Sequence, residues 1–180
     1  MNVLGIDPGT ATTGYGVVRL SKDGVVAVGF GLIETSKDGS PGRRLEVIHS
    51  ELVKIIAKFK PDVMAIEKLF FAANAKTAIR VGQAQGAMLL AAANESVEVF
   101  EYAPGSIKKM VTGDGRADKK TIQRNLRKIL GNGIRSAPRK RTHFDNAADA
   151  LAVALCHLAT EKYINLGEGV KSLNGESKNR

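Results

Sequence analysis

Three carboxylate residues occupy positions in this sequence where an ionised side chain is unusual. Asp7 ends the apolar run of residues 3–6, Glu67 ends the apolar run of residues 63–66, and Asp149 lies within an alanine-rich segment. Carboxylate oxygens suit Mg²⁺ or Mn²⁺, and no histidine or cysteine cluster points to structural zinc. Two such ions about 3.5–4 Å apart can hold the attacking water and the leaving oxygen during phosphodiester hydrolysis. The three residues are therefore candidates for a metal-dependent hydrolytic site.

These positions also have simpler explanations. Asp7 precedes Pro8-Gly9, and an Asp-Pro-Gly sequence forms a turn without any catalytic role. Asp145 is explained by capping and by the helix dipole at a helix start, whereas Asp149 lies a turn further into an otherwise apolar segment. Asp145, Asn146 and Asp149 are spaced so that they can share one helical face. Asp149 is thus the acid that a structural role explains least well.

The cysteine and histidines do not suggest a second kind of site. We expect Cys156 to be a core residue, and a lone cysteine excludes an internal disulfide and fits a reducing compartment. His49 and His157 are expected to be structural. His143 either orients water or phosphate, or is an exposed residue beside basic neighbours. No apolar run reaches the roughly 20 residues of a membrane span, and no secretory signal is present, so we expect a cytoplasmic protein.

The positive charge is concentrated in one part of the chain. The whole sequence has a formal charge of +9, but residues 103–142 contain twelve basic and only two acidic residues, so this segment carries +10. A charge that serves only solubility would be spread along the chain, whereas a segregated one indicates a surface for a polyanion. Nucleic acid is the expected partner. A solvated basic face without a partner is the alternative.

The hydrophobic pattern predicts an α/β domain that begins with strands. Residues 2–7, 14–20 and 25–35 are predicted to form an antiparallel meander, with a turn at Asp23-Gly24. Helical spacing from Pro41 predicts a helix that ends before Pro61, and residues 62–67 then form another strand. If this strand lies parallel to the first, Asp7 and Glu67 meet at the same edge of the sheet.

The rest of the chain is predicted to add mostly helices. One is rich in small residues, one is basic and one is the last helix of the domain. We expect a single domain over residues 1–163 and a disordered tail over residues 164–180. The predicted elements are a helix over 74–94, a strand over 97–102, and helices over 104–110, 119–130 and 144–163.

Five short motifs follow one another along the chain: Gly5-Ile6-Asp7-Pro8-Gly9-Thr10, Thr13-Gly14-Tyr15-Gly16, Ala65-Ile66-Glu67, Ala84-Gln85-Gly86 and Ala147-Ala148-Asp149-Ala150-Leu151-Ala152. Together they resemble the bacterial RuvC Holliday-junction resolvases, over roughly residues 1–160 and in the order of that family. This resemblance implies an RNase H-like fold, with a five-stranded mixed sheet flanked by helices on both faces. It also implies a homodimer that makes paired, symmetric nicks in a four-way DNA junction using Mg²⁺, for which Mn²⁺ can substitute, with two ions per site.

The resemblance assigns metal-binding roles by position. Asp7, Glu67 and Asp149 match acids of the family, and a fourth such position falls on Asn146, where most members resembled here carry aspartate. An amide oxygen can coordinate a metal but supplies no negative charge, so we expect weaker binding of the second ion and impaired catalysis. The asparagine is either a change that traps substrate or one that the adjacent Asp145 compensates.

The resemblance also implies DNA contacts and protein partners. Phe70 matches an aromatic that acts near the junction centre, and stacking of an exposed ring on a base is worth about 1–3 kcal/mol. Lys108 and Lys119 match basic residues near the scissile phosphate, and the same segment adds Arg116 and Lys120 as candidate DNA contacts. A branch-migration motor complex of RuvA and RuvB is implied by the family alone.

Two other functions are alternatives to the nuclease. An actin-like or sugar-kinase ATPase shares a similar first phosphate loop but needs a second lobe, for which 180 residues are too few. A junction-binding protein without nuclease activity is the second alternative, which Asn146 favours.

We expect the small-residue helix over 74–94 to form the dimer interface, because paired nicks are most simply made by a two-fold dimer.

Overall fold

The computed structural model describes residues 1–69, 75–131, 134, 141–166 and 171–172, with only the backbone described for residues 141–145, 171 and 172. None of the helices in these ranges is long and apolar enough to cross a membrane.

A five-stranded mixed sheet forms the centre of the fold, which confirms the implied α/β architecture. The strand order is β3-β2-β1-β4-β5, with β1, β2 and β3 antiparallel and with β4 and β5 parallel to β1. The strands are β1 (Asn2–Asp7), β2 (Thr12–Ser21), β3 (Gly24–Glu34), β4 (Val63–Glu67) and β5 (Glu98–Tyr102).

The β2–β3 hairpin turns one residue earlier than predicted. Ser21 pairs with Gly24, so residues 22–23 form the turn, and Gly24 has a φ of 122° that a side chain would disfavour. The register shifts between Val17 and Val18, opposite Gly29. Val28 is the extra residue of this bulge, whereas Gly29 serves close packing, because a Cβ atom there would overlap the Phe59 ring.

Five helices cover the two faces of the sheet. The α1 helix begins with the Ser40 side chain accepting from the backbone N–H of Arg43, and it ends at Lys60, before Pro61. Asp118 caps α4 in the same way. The last helix starts three residues earlier and ends three residues earlier than predicted. The helices are α1 (Pro41–Phe59), α2 (Ala75–Asn94), α3 (Pro104–Thr112), α4 (Lys119–Leu130) and α5 (Arg141–Thr160).

The chain remains structured just beyond the predicted domain boundary at residue 163. Ile164 is buried in the core, and β6 (Ile164–Asn165) pairs with β7 (Lys171–Ser172). Ile164 therefore belongs to the folded domain and not to a disordered tail, because burying its apolar side chain stabilises the fold.

Alternation along the strands separates two cores. Val3 belongs to the core that α3, α4 and α5 cover, whereas Leu4 and Ile6 belong to the core covered by α1 and α2. Because side chains alternate along a strand, Asp7 points to the same face as Val3. In β4, Ala65 lies on the α5 face, so Glu67 points there as well.

Glycines let α5 lie directly on the sheet. A Cβ atom at Gly5 would overlap the carbonyl oxygen of Ala150 and lie 2.7 Å from the backbone nitrogen of Ala154. A Cβ atom at Gly14 would overlap the backbone carbonyl of Asn146. Two glycines of the strands therefore set the height of the helix that carries Asp149.

Candidate active site

The three predicted acids line one cavity at the carboxyl end of the sheet. Asp7 and Glu67 come from adjacent parallel strands, in which Ile6 pairs with Ile66, and Asp149 comes from α5 above them. The cavity has a volume of about 310 Å³. The prediction that β1 and β4 are parallel and bring Asp7 and Glu67 together is confirmed.

Helices α3 and α4 close the cavity with two lysines and an apolar wall. Lys108 of α3 and Lys119, the first residue of α4, line the cavity with the acids. The wall consists of Pro104, Ile107, Ile122 and Ala152. Sequence reasoning did not identify these wall residues, because the spacing of Ile107 and Ile122 also fits ordinary core residues.

The acids share an unfavourable electrostatic environment. Burial and the nearby charges of Glu67 and Asp149 raise the pKa of Asp7 to about 7, although Lys119 opposes this shift. Burial and Asp149 also raise the pKa of Glu67, against the charges of Lys108 and Lys119. Both carboxyl groups are therefore harder to ionise than they would be in water, chiefly because they are buried.

Lys119 is bound to Asp149. Its Nζ donates to Asp149 Oδ2 at 2.9 Å, while 64% of the lysine side chain and 20% of the aspartate side chain remain exposed. An ion pair this exposed contributes little stability, so it can open when a ligand competes for either partner.

The donor set fits a divalent cation, although the geometry is not that of a closed metal site. Within the part of the chain that the structure describes, no three carboxylate, imidazole or thiolate residues lie close enough together to hold an ion. The donors are nevertheless all hard oxygens, and burial, together with the charges of neighbouring carboxylates, raises the pKa of Asp7 and of Glu67, an effect that a bound cation would oppose. Asp7, Glu67 and Asp149 are the residues of this cavity that would hold such an ion.

Asn146 is placed differently from the three acids. It is half-buried in the first half of α5, where its backbone contacts Gly14, and it does not line the carboxylate cavity. Its role as a metal ligand stays a prediction. The residues Phe70, His143 and Asp145 were also predicted to be functional, but Phe70 and the side chains of the other two lie outside the described residues.

The other predicted DNA contacts lie outside the cavity. Arg116 and Lys120 are exposed beside the start of α4. Their placement is compatible with phosphate contacts around the cavity mouth, and their assignment stays a prediction.

The cysteine and one histidine occupy structural positions. Cys156 is buried, and burial raises the pKa of its thiol to about 11, which leaves it a poor nucleophile at neutral pH. The Tyr102 hydroxyl and His157 Nδ1 lie 2.8 Å apart in a hydrogen bond between β5 and α5. Burial lowers the pKa of His157, which favours the neutral ring in this contact.

Comparisons with known proteins agree on one family. The family model for crossover junction endodeoxyribonuclease RuvC matches residues 3–157. The RuvC of Syntrophomonas wolfei is 42% identical over 178 residues, which is 99% of this chain and 100% of that protein. The RuvC of Rubrobacter xylanophilus is 46% identical over 155 residues, covering 86% of this chain and 83% of that protein.

A solved structure extends this similarity to the fold. Thermus thermophilus RuvC in complex with a Holliday junction substrate superposes with a TM-score of 0.80 at 33% identity, covering 96% of this chain and 99% of that one.

Proposed function

The chain belongs to the RuvC family of crossover junction endodeoxyribonucleases, and we propose that it resolves four-way DNA junctions by paired, symmetric, metal-dependent nicks. The observation that carries this proposal is the cavity in which Asp7, Glu67 and Asp149 face one another beside two lysines. Positive charge around the phosphate oxygens stabilises the transition state of phosphodiester hydrolysis. A cation between the carboxylates and the phosphate would remove the repulsion between these negative groups.

Asp7, Glu67 and Asp149 would hold Mg²⁺ or Mn²⁺, with two ions per site. Bound there, the ions would lower the pKa of a water and stabilise the charge that develops on the phosphate oxygens. Lys108 and Lys119 would bind phosphate oxygens, which their place in the lining of the cavity supports, and Lys119 would exchange Asp149 for the DNA. The apolar wall of Ile107 and Ile122 would limit the water that reaches the scissile bond.

Arg116 and Lys120 extend the phosphate-binding surface, and Phe70 would stack on a base at the junction centre. Each phosphate contact should add to the salt dependence of binding. Association with a RuvA–RuvB motor and a cytoplasmic location are carried over from the family alone. The ATPase alternative is set aside, because the family match spans residues 3–157.

The function is tested by comparing wild-type protein with Asn146→Asp on a four-way junction and on a linear duplex of the same sequence. We expect both proteins to prefer the junction and to nick it only with Mg²⁺ or Mn²⁺. We expect Asn146→Asp to nick roughly tenfold faster at limiting metal, since an added carboxylate strengthens the second ion's site. The rate is measured as a function of Mg²⁺ concentration.

Asp62→Asn, an exposed acid at the other end of the sheet, changes the net charge in the opposite direction and should leave the metal dependence unchanged. An unchanged metal dependence in Asn146→Asp would show that this position does not limit the reaction. If neither form cleaves but both still select the junction, the non-catalytic alternative is correct. Equal binding to junction and duplex would contradict the substrate assignment.

We also propose that the outer face of α2 forms the two-fold interface of a homodimer. Ile79 and Leu90 are 63% and 56% exposed, and Gly86 lies between them on the same helical stripe with open space around it. The opposite face of α2 packs against α1 through Met88 and Ala91. An exposed apolar stripe with a glycine suits close contact with a second copy.

Leu90→Glu should raise the dimer dissociation constant roughly 100-fold, because two-fold symmetry places two unpaired carboxylates in one interface. Sedimentation equilibrium measures the change. The matched control is Val26→Glu, which alters an equally exposed apolar residue on β3. The interface is wrong if both variants dimerise like wild type, or if the wild type is monomeric with and without DNA.

A further inference from the structure

A second cavity lies beside the loop that follows β1, on the face of the sheet covered by α1 and α2. It has a volume of about 230 Å³ and is lined by Thr10, Lys37, Arg44 and Arg80, together with the apolar side chains at the start of α1. The carboxylate cavity opens on the other face, under α5. The two cavities are therefore different sites at the same end of the sheet.

Three cationic side chains line this second cavity, and among the described residues its lining includes no acidic one. The Arg44 guanidinium donates through Nε to the Thr35 hydroxyl at 2.9 Å and through Nη2 to the Thr10 carbonyl oxygen at 3.1 Å. These two acceptors are neutral, so they orient the guanidinium without cancelling its charge. Lys37 and Arg80 are exposed and face the cavity from the β3–α1 loop and from α2.

The start of α1 strengthens this positive potential. Gly39 and Pro41 line the cavity, and the first turn of the 19-residue helix contains no acidic residue. The positive end of the helix dipole thus adds to the three side chains. A cavity with this charge and with a preoriented guanidinium suits a single phosphate group.

The loop of Asp7 to Thr10 connects this cavity to the proposed site of cleavage. Arg44 binds the carbonyl of Thr10, three residues after Asp7, and three residues span at most about 11 Å. Successive nucleotides of a duplex strand advance about 3.4 Å along its axis. The Asp7 carboxylate and the Arg44 guanidinium both extend beyond these backbone atoms, so a strand that passes the carboxylates would reach the second cavity within about four nucleotides.

We propose that Lys37, Arg44 and Arg80 bind a backbone phosphate of the junction strand that is being cut, within about four nucleotides of the scissile phosphate. The inference rests on the proposed nuclease function and adds a positioning contact to it. Through the Thr10 carbonyl, a phosphate held by Arg44 would also fix the loop that carries Asp7.

Methylphosphonate interference tests the contact. Junctions with one neutral methylphosphonate linkage at a time, within five nucleotides of the cut on either side, are titrated with three proteins. These are the wild type, the double variant Lys37→Gln/Arg80→Gln, and the control Lys22→Gln/Lys54→Gln. The control removes the same charge, from the far hairpin turn and from an exposed part of α1 that does not line the cavity.

We expect the wild type and the control to lose about tenfold in affinity at one linkage within about four nucleotides of the cut. The double variant should bind the unmodified junction about tenfold more weakly and show less than a twofold effect at that linkage, since the contact is already absent. The slope of log affinity against log salt should fall by about one to two. Unfolding midpoints and sedimentation are measured as controls, and we expect the exposed substitutions to leave the fold and the dimer unchanged.

The proposal is overturned if the double variant keeps the full interference pattern, or if the control reproduces its loss. It is also overturned if inorganic phosphate binds the wild-type cavity, as seen by NMR, while no linkage interferes, because the cavity is then a small-anion site. If the wild type does not prefer the junction, the proposed function is wrong. The phosphate contact is then tested separately by methylphosphonate interference on the linear duplex.

Discussion

Asp7→Asn should abolish DNA cleavage and, when divalent metal is removed, should make the folded protein more stable at neutral pH. The loss of cleavage follows from removing a carboxylate at the centre of the proposed metal site, and a fall on the order of 10³–10⁴ in rate is expected for such a group. The gain in stability follows from the pKa of about 7 that burial and the charges of Glu67 and Asp149 impose on Asp7.

The pH dependence has a definite sign. The pKa of Asp7 is raised from 3.8 to about 7 on folding, so the folded state resists ionisation of this group. The wild-type free energy of unfolding should therefore fall as the pH rises from about 4 to about 7, and then level off as far as this group contributes. Three pKa units correspond to about 4 kcal/mol, which is an upper bound because asparagine is also polar and partly buried.

The expected gain for Asp7→Asn at pH 8 is about 2 kcal/mol, or roughly 4–8 °C in the unfolding midpoint for a chain of this size. Calorimetry in a chelating buffer at pH 4, 6 and 8 measures it, and the two proteins should converge at pH 4. Asp23→Asn removes the same charge at the exposed hairpin turn and should produce no such divergence. A variant that is less stable than wild type at pH 8 would show that Asp7 is a structural turn residue.

Gly5→Ala should destabilise the protein by about 3 kcal/mol or more and should also slow cleavage by the molecules that still fold. The added methyl group would overlap the Ala150 carbonyl and lie 2.7 Å from the Ala154 nitrogen. Both atoms belong to the backbone of α5, which cannot rotate away as a side chain can. The helix must move off the sheet by roughly an ångström, and overpacking of this kind costs about 1–3 kcal/mol and occasionally more.

The same displacement should damage the site. Asp149 directly precedes Ala150, so it moves with the helix away from Asp7 and Glu67, and a shift of about 1 Å can cost roughly 100-fold in rate. Chemical denaturation and the cleavage rate of the folded protein measure the two effects. Gly42→Ala serves as a control for stability, since nothing lies within 4 Å of its added atom and its helix would tolerate alanine. Wild-type stability and cleavage in Gly5→Ala would show that α5 does not depend on this contact.

Much of the molecule is determined by local sequence pattern. The runs that end in Asp7 and Glu67 alternate with a helical pattern that places them on parallel strands, because a crossover helix returns the chain in the same direction. Alternation along each strand then directs both acids to one face. Asp149 was predicted to be a functional residue because an ionised side chain is unusual inside an otherwise apolar helix. The helices that Ser40 and Asp118 cap begin at the predicted residues, because capping side chains are recognisable in the sequence. Other element boundaries moved by up to three residues, most of all in α5.

The tertiary structure decided what those residues experience. Lys119 pairs with Asp149 across 30 residues of sequence, and Lys108 reaches the same cavity from a different helix. The pKa of Asp7 depends on distances among three elements, which no spacing along the chain reports. The same holds for the cavity of Arg44 and Arg80, which joins two helices and two loops. Sequence periodicity determines which face of an element a residue occupies, but charge, burial and contact depend on how closely the elements approach, and here glycines of the strands set that approach.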